Sequence, residues 1–167
     1  MNYHEKLKEI TSNVLKELKQ MNDAEMSIKP SPEKWSKKEI LGHLIDSAYN
    51  NHLRFMRATE KPDLIFPGYD QPKWVRRNNY QNRPTSEIIS TWEIVNNHIY
   101  ELMKGIPEEV MNRKTTRHNF DLICMHFLER EKPTSLSYLV WDYLDHMEHH
   151  IAQILPNYQK RNLAFQA

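Results

Sequence analysis

YLDHMEHHIAQIL, residues 143–155, places three histidines within five positions. The run has no glycine or proline until Pro156, and Leu144, Met147, Ile151, Ile154 and Leu155 recur at helical spacing. On a helix, His146 and His150 stand one turn apart on one face. Thr134 or Ser135 can cap this helix, and Pro156 ends it near Leu155.

Three more stretches carry the same period. The first runs from about Tyr3 to Met21, with Leu7, Ile10, Val14, Leu15, Leu18 and Met21 on one stripe. After Pro30 and Pro32, Ser36 and Glu39 form a capping box that opens a helix from about Lys37 to Thr59. Its inward positions are Ile40, Leu41, Leu44, Ile45, Ala48 and Tyr49. Residues 61–84, with Pro62, Pro67, Gly68, Pro72 and Pro84, read as a long connection. Thr85 or Ser86 can cap a third helix through about Met103, before Gly105. Residues 105–134 suggest a short helix near 107–112 and then an irregular crossing. Four long amphipathic helices joined by lengthy connections predict an all-α four-helix bundle.

Composition bounds the function. A chain of 167 residues is expected to form a single domain over residues 1–167. Its formal net charge of +1 gives no general pull toward nucleic acid or an anionic membrane. The lone Cys124 excludes an internal disulfide and suits a reducing compartment, so the expected location is the cytoplasm. No run of roughly 18 apolar residues is present, so no membrane span is expected. The first 20 residues form a charged amphipathic pattern rather than a secretory signal. Three glycines are poor supply for a phosphate-cradling loop.

The histidines then need weighing. A pair at i, i+4 ordinarily marks a solvated face, but His146 and His150 flank an apolar stripe. A third imidazole, His43 in EILGHLIDS, lies between Ile40 and Leu44 on the inward side of another long helix. Bundle metal sites form where facing helices point side chains inward, and three neutral imidazoles suit Zn, Ni, Cu or Fe with coordination positions to spare. His149 competes with His150 for the same role, although a surface position suits it better. A zincin helix is excluded, because Met147 stands where H-E-x-x-H requires glutamate.

KWSKKEILGHLIDSAYNNHLRF, residues 34–55, taken with YLVWDYLDHMEHHIAQI, residues 138–154, resembles the DinB-like superfamily, which includes the YfiT-type metalloenzymes. The likeness covers the order of the four helices. It implies an up-down-down-up type bundle, often dimeric, holding a divalent metal through three histidines. Carried onto this sequence, the ligands are His43, His146 and His150. Zinc or nickel is the implied ion, with a low-molecular-weight thiol as a possible cosubstrate. The implied activities are thiol-dependent transfer or metal-dependent hydrolysis of a small molecule.

Asp46 and Asp142 each share a helical face with a ligand, three residues after His43 and four before His146. Either can orient an imidazole N–H or serve as a catalytic base. Asn50 and Gln153 are expected to line the bundle, and Trp35, Trp74, Trp92 and Trp141 to pack in the core. Cys124, between Ile123 and Met125, is expected as buried packing. KWVRRNNYQNRP, residues 73–84, is the one segment with the basic and aromatic mixture that contacts nucleic acid, but a solvated loop is its ordinary meaning. The rival to an enzyme is a metal-stabilised binding or stress-response module without turnover.

Overall fold

The computed structural model describes residues 2–161 and residue 165. Four long helices dominate: α1 (Tyr3–Leu18), α3 (Lys37–Glu60), α5 (Thr85–Gly105) and α8 (Leu136–Ile154). Between them lie α2 (Asp23–Ser27), α4 (Gln71–Arg77), a 3-10 turn (Tyr80–Asn82), α6 (Glu108–Asn112) and α7 (Phe120–Ile123). Among the described residues there is no strand, only two isolated bridges, Leu64 with His118 and Thr115 with Thr134, that tie the connections together. The molecule is the all-α four-helix bundle that the hydrophobic period predicts.

Helices α1 and α3 stand diagonally opposed, each packing against both α5 and α8. Leu7, Ile10, Val14 and Leu18 of α1 meet Ile88, Trp92, Val95 and Ile99 of α5 and Leu144, Met147 and Ile151 of α8 in one buried core. Met21 falls beyond the end of α1 and is only half-buried.

The predicted capping box forms. Ser36 Oγ accepts the Glu39 amide at 3.2 Å, and Glu39 Oε2 accepts the Ser36 amide at 2.9 Å. From Lys38 to Ala48, α3 is buried on every side, because α2, α4 and the 3-10 turn cover its outer surface. The connection 61–84 is therefore a lid on α3 rather than a free loop, with Val75 and Tyr80 as its buried anchors. One inward assignment fails: Tyr49 is exposed, since that cover does not extend to it.

The cap of α5 also differs from expectation. Pro84 occupies the cap position and offers no side-chain oxygen. Asp23 of α2 supplies it instead, its Oδ1 accepting the Thr85 amide at 3.0 Å and the Thr85 hydroxyl at 2.7 Å. The buried Lys38 ammonium pairs with the same carboxylate oxygen at 2.8 Å. Ser135 precedes α8 as predicted, but its hydroxyl turns to Ser137 Oγ at 2.8 Å instead of capping an amide. No helix among the described residues is long and apolar enough to cross a membrane.

Candidate metal centre

The burial of α3 carries His43 to the centre of the molecule, where its side chain is wholly enclosed. From α8, His146 and His150 project one turn apart toward it. His43 Nε2 lies 3.1 Å from His146 Nε2, and ring centroids are 4.8 Å apart for His43 and His150 and 4.6 Å apart for His146 and His150. One nitrogen from each ring falls within 4.8 Å of the other two. Donors around a tetrahedral zinc at 2.0–2.1 Å sit roughly 3.3 Å from one another, so the spacing fits a divalent ion with little movement.

Burial holds all three rings neutral, which is the ligating form. The His43 imidazole is pushed down to about 3, by burial first and His150 second. His146 lies well below its ordinary range, chiefly through burial, with His150, His43, His149 and Arg54 adding to the effect. Burial also lowers His150, against the opposing hydrogen bond from Gln153.

Gln153 settles the tautomer of His150. Its Oε1 accepts the Nδ1–H of His150 at 3.2 Å, while its amide nitrogen donates to His149 Nε2 at 3.1 Å. The lone pair of His150 is thereby left on Nε2. Gln153 was expected to line the bundle; it is exposed and orients a ring instead. His149 is exposed as well, as its surface assignment predicted. His43 Nδ1 is buried with no partner among the described residues, and the tilted Trp35 ring packs 5.2 Å from its imidazole.

Beside the triad opens a cavity of about 320 Å³. Its lining includes His146 and His150 of α8, Ser47, Asn51 and Arg54 of α3, and Tyr69, Cys124 and Asp142. Three donors that converge beside a cavity are a recognisable arrangement, and the sequence model of the DinB superfamily matches residues 6–154. The chain belongs to the DinB superfamily. A solved relative, YfiT from Bacillus subtilis, has the same fold with a TM-score of 0.69 at 18% identity, over 92% of this chain and 84% of that one. It is described as a probable metal-dependent hydrolase with an unusual four-helix bundle topology. No curated protein matches the chain.

In this DinB-superfamily member the two carboxylates have separate surroundings. Asp46 Oδ1 accepts from the Tyr80 hydroxyl and from Asn78 Nδ2, each at 2.8 Å. Burial raises the Asp46 carboxyl to about 6 against those two hydrogen bonds. Asp46 does not line the cavity, whereas Asp142 does. Asp142 accepts the amides of Met125 at 3.2 Å and His126 at 2.8 Å, and burial raises it above the usual carboxylate range. Neither carboxylate hydrogen-bonds a ring of the triad, because Asp46 is engaged by Tyr80 and Asn78 and Asp142 by the amides of Met125 and His126.

Cys124 is partly buried and packs against the core as expected, and it also lines the cavity; burial with the nearby Asp142 pushes its thiol far up, away from thiolate reactivity. Asn50 is half-buried and spends its amide on the Asp46 carbonyl of its own helix. Trp92 and Trp141 are core residues, Trp35 is half-buried, and Trp74 is exposed on α4. Sequence reasoning overlooked Arg54 and Tyr69. A signal existed for Arg54: residues 43, 47, 51 and 54 fall at helical spacing, so His43, Ser47, Asn51 and Arg54 form one polar stripe on a helix otherwise packed with apolar residues.

Proposed function

We propose that this protein is a metal-dependent enzyme that activates a small nucleophile, water or a low-molecular-weight thiol, against a small-molecule substrate. The observation that supports this reading is the convergence of His43, His146 and His150 beside a cavity of about 320 Å³ that opens to the surface. A divalent ion held by three neutral ligands keeps its full charge and would supply Lewis acidity and a lowered pKa for a coordinated water or thiol. Zinc or nickel and a homodimer belong to the same reading on the strength of the family resemblance, and a reducing compartment on the strength of the single Cys124.

The chain's own residues supply the rest. Asp142 is the cavity-lining acid or base: burial raises its affinity for protons, which suits it to accept one and return it. Asp46 is a positioning residue. It holds the Tyr80 hydroxyl, and the Tyr80 ring presses on Gly42, next to the ligand His43. Gln153 keeps the His150 ring in the ligating tautomer. The lid formed by α4 and the 3-10 turn excludes water from the His43 side.

Metal analysis of purified protein tests the site. Wild-type protein is expected to hold about one equivalent of divalent ion. His43→Ala and His150→Ala should each weaken binding by at least 100-fold, beyond the 10–100-fold typical of losing an outer partner. Retention of metal by both variants defeats the assignment. A screen of electrophiles with water and several small thiols then separates transfer from hydrolysis. Absence of any metal-dependent product favours a binding module that uses the ion for stability alone.

A further inference from the structure

Arg54 is a buried cation with no ion pair among the described residues, and Asp142 is the carboxyl that acts on it from across the cavity. Arg54 is 6% exposed, and its guanidinium has two acceptors among the described residues, Asn51 Oδ1 at 3.4 Å and the Pro67 carbonyl at 3.2 Å, both neutral. Its Nε–H has no hydrogen-bond partner among the described residues. No carboxylate among the described residues forms an ion pair with it, and Asp142, the one acid lining the same cavity, has both oxygens engaged by backbone amides. Buried arginines are almost always paired, because desolvating an uncompensated charge is costly. A guanidinium keeps its proton under all ordinary conditions, so the cost is not escaped by neutralisation.

That charge lines the cavity bounded on its other side by His146 and His150. Arg54 stands eleven residues after His43 on α3, three turns along the same face. The cavity thus has two positive ends once an ion occupies the triad, against the single carboxyl of Asp142. We infer that Arg54 is the recognition residue for the anionic end of the substrate, and that the substrate is a small molecule carrying a carboxylate, with its reacting end toward the histidines. The inference rests on the metal-dependent reading above. A carboxylate fits better than a phosphate, because a single guanidinium with neutral neighbours and Asp142 nearby matches one negative charge rather than two. The Tyr69 hydroxyl, which lines the same cavity, is a further donor for that group.

The test compares two thiols that differ only in charge, 3-mercaptopropionate and 3-mercaptopropionamide, by calorimetry on the zinc-loaded full chain. The carboxylate is expected to bind about ten- to a hundredfold more tightly, the range for a hydrogen bond to a charged group. Arg54→Gln should abolish that preference while metal content and amide affinity stay unchanged. Equal affinity of the two probes for wild-type protein overturns the inference. So does a preference that survives in Arg54→Gln, since the ion itself would then be reading the carboxylate. If the chain takes up no metal, the metal-dependent reading fails. Propionate against propionamide on the metal-free protein then decides Arg54 separately, by the same preference and its loss in the variant. If Arg54→Gln does not fold, Arg54→Lys, which keeps the charge without the fork, should retain a reduced preference; an unreduced one overturns the assignment. Inorganic phosphate displacing the charged probe better than propionate does overturns the carboxylate class.

Discussion

Gly42 shows how a single residue places the site. A glycine inside a helix costs about 1 kcal/mol relative to alanine, and nothing in the local sequence explains it. The explanation is contact: a Cβ on Gly42 would run into the ring of Tyr80, which seals α3 from outside. Gly42→Ala is therefore expected to lower stability despite better helix propensity, by roughly 1–3 kcal/mol as for other overpacked sites. Urea unfolding measures it, and an unchanged or raised midpoint refutes the contact. The same reasoning applies to Gln153, whose position one turn after His150 was visible in the sequence. Its partners were not, because an exposed amide has no pattern that distinguishes an orienting group from ordinary surface.

Among the elements, α5 depends on α2 for its start. Pro84 leaves the first amides of α5 without a side-chain cap, and Asp23 fills the gap while also pairing with the buried Lys38. Hydrogen bonds from Lys38 and Thr85 hold the Asp23 carboxyl at about 2, below its ordinary 3.8. A carboxyl depressed on folding contributes stability that is complete above pH 3.8 and disappears as pH falls through about 2. Asp23→Ala should lower the melting temperature at neutral pH, and the gap to wild type should close as pH falls from about 4 to 2. Circular dichroism melts across that window test this. A gap independent of pH rules out the carboxylate as its source. Local sequence predicted Thr85 or Ser86 as the cap; the actual one comes from 62 residues away, beyond the reach of any local rule.

For the whole molecule, the histidine site is a link between two helices. An ion that binds the folded bundle and not the unfolded chain stabilises by about 2.7 kcal/mol when present at 100 times its dissociation constant. For a protein of this size that corresponds to a rise of about 5–10 °C in melting temperature. Zinc or nickel titration followed by thermal scanning should show it, with a chelator reversing it and His43→Ala abolishing it. A melting temperature indifferent to metal argues against a closed three-histidine site.

The long helices and their apolar faces were legible because helical periodicity is local: it depends on residues three and four apart. So was the pairing of His146 with His150, set by one turn of one helix. The meeting of His43 with His146 across 103 residues depends on how α3 packs against α8. Only packing could also decide that Asp46 faces Tyr80 rather than the triad, that Asp142 and Cys124 share the cavity, and that Arg54 is buried with no ion pair among the described residues. Each of those facts depends on what surrounds a side chain, and burial, which sets the cost of a charge and the protonation of a ring, exists only once the helices have come together.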